Sequence, residues 1–328
     1  MRVLVTGAAG YIGSVAVEKL LDAGHDVHAA DNLWRGHRLA VDPRAAFQQV
    51  DLTEPSQVDD LIQAARPDAV MNFAAATLVA ESVARPGDYF GTNVVGGHNL
   101  LSAMREHGVR NFVFSSTAAV YGEPSTIPVP EDAALEPINP YGRSKLMVEQ
   151  MLPAHANAWG LRYTCLRYFN VAGATVAHGE DHDPETHLIP LALFSVMGRR
   201  SSFALFGTDY PTPDGSCIRD YVHVEDLIDA HLLALDDLTG DNGHSGAFNL
   251  GTKGGFSVRE VVAAVERETG LTVPLEERPR RAGDPAVLIA DSTRAREILA
   301  WDPTRSTLDQ MVRDAWEWFK ANPDGYAG

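Results

Sequence analysis

RVLVTGAAGYIG, residues 2–13, is a short apolar run that stops at a glycine-rich turn. The run suits a buried strand, and a helix is expected from about Gly10. Gly7, Gly10 and Gly13 stand at a GxxGxxG spacing. A strand, a glycine turn and a helix in succession let the backbone approach a pyrophosphate closely, with the helix's first N–H groups aimed at the anion. The same residues also suit an ordinary turn, so the rest of the chain must decide.

Outward from this stretch, short apolar runs alternate with helical ones: DVHAAD (26–31), a strand before Asp51, DAVMNFAA (68–75), a helix near 88–107, FVFSS (112–116), a helix from about Tyr141, and LRYTCLRYF (161–169) as a sixth strand. Such alternation builds βαβ units and a parallel sheet covered on both faces. The expected fold is α/β: a Rossmann-type doubly wound sheet over residues 1–170, followed by a smaller mixed α/β substrate domain over 171–328. Near 219–250, YVHVEDLIDAHLLAL and GAFNLG are expected to return to the first domain.

Composition narrows the partners. A net charge of −17 on 328 residues, 45% of them hydrophobic, describes a globular chain that nucleic acid and anionic membrane surfaces repel. Two cysteines, Cys165 and Cys217, make no CxxC and no disulfide framework, so both are expected to stay reduced. No apolar run approaches the roughly 18–20 residues that span a bilayer. A cytoplasmic location is expected.

Asp31 ends the second strand, where a carboxylate can accept hydrogen bonds from an adenosine ribose and repel a 2′-phosphate. NAD is therefore expected over NADP, although Arg35 is close by. Asp51 can meet the adenine end in the same way. NPYGRSK (139–145) then sets Tyr141 and Lys145 four apart in a chain with only four lysines against twenty-three arginines. On a helix those side chains share a face. A phenol with an ordinary pKa of about 10 is a poor base at neutral pH, but an adjacent ammonium and a nicotinium ring favour the phenolate. Tyr141 is thus a candidate general base. Ser115, Ser116 and Thr117, after the fifth strand, each offer a hydroxyl to the same substrate oxygen, and spacing does not choose among them.

Taken together, TGAAGYIGS, ADN (30–32), FSSTAAVYG, NPYGRSKLMVEQ, LRYFNVAGA (166–174), HDPETHLIP (182–190), FGTDYPTPDGSCIRDYVHVEDL (206–227) and RRAGDPAVLIAD (280–291) resemble the extended short-chain dehydrogenases and, within them, the UDP-galactose 4-epimerase family. The resemblance implies that Tyr141 is the base, that Lys145 tunes it and touches ribose, and that Thr117 is the hydroxyl sharing O4. It places NAD against Gly7, Gly10, Tyr11, Ile12, Gly13, Asp31, Asn32, Asp51, Leu52, Phe73, Ala74, Ala75, Asn93, Ser115, Tyr141, Lys145 and Tyr168. It places a UDP-sugar against Thr117, Tyr141, Asn170, His187, Leu188, Ala204, Phe206, Arg219, Tyr221, Arg281 and Asp284. Arg219 and Arg281 then supply the local cations that an anionic nucleotide needs in an acidic protein. The implied activity is interconversion of UDP-galactose and UDP-glucose by transient oxidation at C4. The implied assembly is a homodimer packed through helices near 88–107 and 141–159.

The related 4,6-dehydratases carry an Asp-Glu pair after the threonine, for removing water. Here Ala118 and Ala119 occupy those positions, so chemistry is expected to stop at hydride transfer. Rival readings are a 4-epimerase of another nucleotide sugar, such as a UDP-N-acetylhexosamine, UDP-pentose or UDP-uronate, and a non-catalytic NAD sensor. Intact Thr117, Tyr141 and Lys145 argue against the sensor. Thr77 and Asn72 stand where many epimerases have lysine and histidine, and Leu288 stands where residue size sets tolerance for N-acetyl sugars. HGEDHDPETH (178–187) holds three histidines and several carboxylates, but it includes a proline, lacks HExxH and is expected to be a loop without a metal. AWEWF (315–319) is expected to be a buried helix face.

Overall fold

The computed structural model describes residues 1–240, 243–281 and 285–326. Strands β1 (Arg2–Thr6), β2 (Asp26–Asp31), β3 (Ala46–Gln49), β4 (Ala69–Asn72), β5 (Asn111–Thr117) and β6 (Arg162–Tyr168), with the strand Gly246–Leu250, form one sheet. Its order is 246–250, β6, β5, β4, β1, β2, β3, and every neighbouring pair is parallel. β1 lies between β2 and β4, so the winding reverses there. In such sheets the crevice outside the carboxyl ends at the reversal is where ligand binds.

The apolar runs carry hydrophobic residues at consecutive positions because both faces are covered. Val3 and Val5 belong to the layer that holds Val17 and Leu20 of α1 (Tyr11–Asp22) and Leu227 and Leu235 of the helix Val224–Thr239. Leu4 points the other way, as strand alternation requires. It joins Val58, Leu61, Leu100, Met104, Val148 and Leu152 of the helices Pro55–Ala65, Gly96–Glu106 and Pro140–Trp159. The helix Val224–Thr239 packs on one face of this sheet, and the strand 246–250 pairs with β6 at its edge.

A smaller C-terminal domain has its own core, with Leu193, Val261, Met311, Trp318 and Phe319 from the helices Leu188–Val196, Val258–Thr269 and Leu308–Ala321. The aromatic run 315–319 is a buried helix face, as expected. Among the described residues no helix is long and apolar enough to cross a membrane.

One element differs from expectation. The stretch near 88–107 is not a single α-helix: a short turn, Pro86–Tyr89, leads into a π-helical turn, Phe90–Val95, before the regular helix Gly96–Glu106 begins. The wider turn bears Asn93, whose amide pairs with both the N–H and the C=O of Ala76, at 2.8 and 3.0 Å.

Candidate active site

Gly7 adopts a φ of +73°, and a Cβ placed there would lie 2.5 Å from the Ala74 nitrogen. Only glycine lets the turn after β1 pass so close to the loop Phe73–Ala75 after β4. A Cβ on Gly13 would stand 2.0 Å from the Gly7 carbonyl oxygen, so glycine there seats α1 against the turn. Gly10 is the N-cap of α1 and brings no side chain to its first N–H groups. Tyr11 and Ile12 begin the helix; the Tyr11 hydroxyl donates to the Gly173 carbonyl at 2.7 Å, and Ile12 packs against the core. Phe73 lies 4.8 Å from the His231 ring. These close approaches form a cradle of the kind that admits a pyrophosphate and excludes side chains.

Asp31 accepts from the Ala9 N–H at 3.0 Å and the Leu33 N–H at 2.8 Å. Burial raises its pKa, and those N–H groups oppose the rise. Its carboxylate therefore stands at the glycine loop, as the sequence suggests. One nitrogen of the Arg35 guanidinium donates to both Glu81 carboxylate oxygens, each at 2.9 Å. Asn32 and Asp51 line an open cleft of about 880 Å³ beside Gln49 and Arg85, and Leu52 is buried next to it.

At the sheet's carboxyl edge the helix Pro140–Trp159 starts under Asn139, whose side chain accepts from the Gly142 N–H at 2.8 Å. Proline at the first turn suits that start. The cap fixes Tyr141 in the first turn and Lys145 one turn later. Thr117 Oγ1 accepts from the Ala119 N–H at 3.1 Å, and its side chain is a hydrogen-bonding neighbour of the Tyr141 phenol. Burial raises the Tyr141 phenol, and this bond from Thr117 opposes the rise. Ser115 bonds Tyr168, and Ser116 donates to Glu149 at 2.5 Å. Lys145 Nζ donates to the Ser115 carbonyl at 2.9 Å and faces the Phe114 ring. Burial pulls its pKa down to about 7, against the pull of Glu149.

Several supporting groups were not legible as such. Tyr141, Lys145 and Glu149 recur every four residues, so they form one stripe on the helix. Glu149 pairs with Arg167 of β6 at 2.5 Å, both side chains more than nine-tenths buried, and Arg167 also donates to the Tyr121 hydroxyl at 2.9 Å. The extended stripe itself was the available signal. Asn93 donates to the Ser144 hydroxyl at 2.8 Å, and that hydroxyl donates to the Tyr141 carbonyl at 2.7 Å. Asn93 thus ties the loop after β4 to the first turn of the Tyr141 helix; expected as a cofactor contact, its amide is engaged by protein groups.

Across the crevice, Asn170 donates to the Asp220 carbonyl at 2.8 Å. The wholly buried Asp220 carboxylate gathers the N–H groups of Thr252, Lys253 and Ala290, at 2.7, 3.3 and 3.0 Å. It thereby sets its neighbours, Arg219 and the buried Tyr221. Leu288 is in register with Arg219 and packs on the cluster of Tyr121 and Leu146. Ala204 and Phe206 lie on the strand Phe203–Phe206, with the Arg281 guanidinium 3.9 Å from the centre of the Phe206 ring. His187 precedes the helix Leu188–Val196; its Nδ1 lies 2.5 Å from Glu180 and 2.9 Å from Glu185. Thr77 is exposed beyond the loop after β4, and Asn72 accepts from the Thr6 hydroxyl at 2.9 Å. Asp284 lies outside the described residues.

Known proteins resemble this chain over nearly its whole length. The chain is 49% identical to a UDP-glucose 4-epimerase of Lactobacillus helveticus, with 99% of each chain covered. It is 50% identical to one of Halalkalibacterium halodurans, over 100% of this chain and 98% of the other. The crystal structure of UDP-glucose 4-epimerase from Brucella ovis in complex with NAD superposes with a TM-score of 0.94 at 46% identity, covering 97% of this chain and 98% of that one. The Bifidobacterium longum enzyme in complex with NAD+ and UDP superposes with a TM-score of 0.93 at 35% identity, covering 99% and 100%. Residues 3–251 match the NAD dependent epimerase/dehydratase family. Matched over three quarters of its length by that family and alike to these relatives over their full length, the chain belongs to the NAD dependent epimerase/dehydratase family.

Proposed function

We propose that this protein is an NAD-dependent isomerase that interconverts UDP-galactose and UDP-glucose at C4. The observation that carries the proposal is the constellation of half-buried Tyr141 with buried Thr117 and Lys145 at the carboxyl edge of the sheet, beside the glycine cradle. The full-length likeness to proteins named UDP-glucose 4-epimerase supports it.

Residues 1–170 with the returning segment near 219–250 hold the cofactor in this reading: the α1 N-terminus takes the pyrophosphate, Asp31 the adenosine ribose and Lys145 the nicotinamide ribose. Residues 171–328 hold the nucleotide sugar, with Arg219 and Arg281 pairing with its phosphates. Bound NAD supplies transient oxidation at C4: hydride leaves one face, the 4-keto sugar rotates, and hydride returns to the opposite face. Tyr141 takes the proton from the 4-hydroxyl as hydride leaves and gives it back when hydride returns. Thr117 holds O4 beside the phenol and stabilises the phenolate by its hydrogen bond. Ala118 and Ala119 offer no acid or base to C5 and C6, so no water is lost. The protein acts as a cytoplasmic homodimer, its subunits meeting through the helices near 88–107 and 141–159, where Val95 and Met147 are 47% and 41% exposed.

Purified protein is incubated with UDP-galactose without added cofactor, and the nucleotide sugars are chromatographed. UDP-glucose should appear and reach the same ratio from either starting sugar. Tyr141→Phe should abolish turnover while UDP binding persists. Turnover of that variant near the wild-type rate refutes the assignment of the base.

A further inference from the structure

The loop 178–187, set down from sequence as free of metal, folds so that Glu180, His182, Glu185 and His187 turn inward on one another. One donor atom from each lies within 4.8 Å of the other three. His182 Nδ1 stands 3.1 Å from Glu180 Oε1 and 3.9 Å from Glu185 Oε2. His187 Nδ1 stands 2.5 Å from Glu180 Oε1 and 2.9 Å from Glu185 Oε1. Zinc bound by imidazole nitrogen and carboxylate oxygen at about 2.0–2.2 Å has donors roughly 3.3–3.5 Å apart at the corners of a tetrahedron. The separations found here bracket that spacing, so a metal would draw the donors together or apart by shifts of about 1 Å or less within the same loop.

A second observation points to a ligand. The Glu185 side chain is only 5% exposed, and its Oε1 already accepts from the N–H groups of Thr186 and His187, at 2.6 and 2.7 Å. Its Oε2 is buried without any hydrogen-bond partner. A buried carboxylate oxygen left unpaired is costly, and a cation supplies what it lacks. The Glu180 side chain, 6% exposed, is the second carboxylate of the set. Two carboxylates and two neutral imidazoles around a dication are electrically balanced.

We propose that Glu180, His182, Glu185 and His187 form a structural site for a divalent transition metal, with Zn2+ the best fit to two imidazoles and two carboxylates. All four positions are filled by protein, which is the pattern of a structural rather than a catalytic site. Its place in the fold gives it a task. The edge of the Tyr11 ring faces His182 at 6.4 Å, and Arg35 donates to the Asp183 carbonyl at 3.3 Å, both from the cofactor side. On the other side the loop runs into the helix Leu188–Val196, and Gly179 N–H donates to the Tyr326 hydroxyl at 3.0 Å. A metal here fastens the glycine-loop helix of the sheet domain to the C-terminal domain.

The test uses NAD-saturated full-length protein, free of any histidine tag, stripped with a chelator and titrated with Zn2+ or Co2+ alone. Bound metal is counted by elemental analysis after gel filtration, and Co2+ is followed by its visible absorption. The expected result is one metal per chain, tetrahedral Co2+ bands and a higher melting temperature with Zn2+. His182→Asn and Glu185→Gln, each checked for native circular dichroism, should weaken binding by about tenfold or more and lose the thermal gain. Failure of the stripped wild-type chain to take up Zn2+ or Co2+ at micromolar concentration overturns the proposal. So does undiminished binding by both variants.

Discussion

Replacing Glu149 by glutamine tests how the helix bearing Tyr141 is held. Glu149 and Arg167 meet at 2.5 Å with side chains 8% and 5% exposed, and Ser116 adds a second donor to the carboxylate at 2.5 Å. Burial works against the Arg167 charge, but Glu149 more than offsets it and holds the guanidinium above its ordinary pKa. Two unit charges about 4 Å apart at an effective dielectric of about 20 attract by about 4 kcal/mol. Removing one member of a buried pair costs about 3–5 kcal/mol because the other is left uncompensated. Glutamine keeps the shape and can still accept from Ser116, so the loss measures charge. Glu149→Gln should therefore lower unfolding free energy by about 3–4 kcal/mol, read from the urea midpoint with NAD saturating. The double variant Glu149→Leu/Arg167→Met, which removes both charges, should lose far less. A Glu149→Gln loss below about 1 kcal/mol refutes the reasoning, since that is the range of an exposed pair.

Three further outcomes follow from the geometry. Lys145 has a folded pKa near 7, well below its unfolded value, so the unfolded chain holds a proton that the folded chain releases above pH 7. Its contribution to stability must therefore rise with pH from about 7 towards 10.5, by at most about 1.4 kcal/mol per pH unit. Melts of wild type and Lys145→Met should diverge in favour of wild type over pH 7–9, and parallel pH curves would contradict this. Gly7→Ala forces a Cβ against the Ala74 backbone at a φ of +73°, so it should destabilise by more than about 1 kcal/mol and weaken NAD binding, as fluorescence titration would read. Leu288→Gly, which shortens the wall beside Arg219, should raise the rate on UDP-N-acetylglucosamine relative to UDP-glucose; an unchanged ratio would show that Leu288 does not face the sugar.

Sequence by itself determined the α/β alternation, the position of the glycine cradle and the Tyr141–Lys145 pair. Each depends on local chemistry: apolar runs with strand length, glycine where a Cβ cannot fit, and residues four apart on one helix face. Tertiary structure alone decided the partners of the three hydroxyls at the end of β5. Ser115, Ser116 and Thr117 are equivalent in the chain, but strand alternation and the neighbours of β5 send Ser115 to Tyr168, Ser116 to Glu149 and Thr117 to the phenol. Tertiary structure also turned Asn93 into a brace and Arg35 onto Glu81, 46 residues away. It gathered four residues of a loop with no recognisable ligand spacing around one point. Local patterns are legible because steric and periodic rules act within a few residues. Partners across a fold are not, because burial and charge pairing depend on what the completed sheet brings alongside.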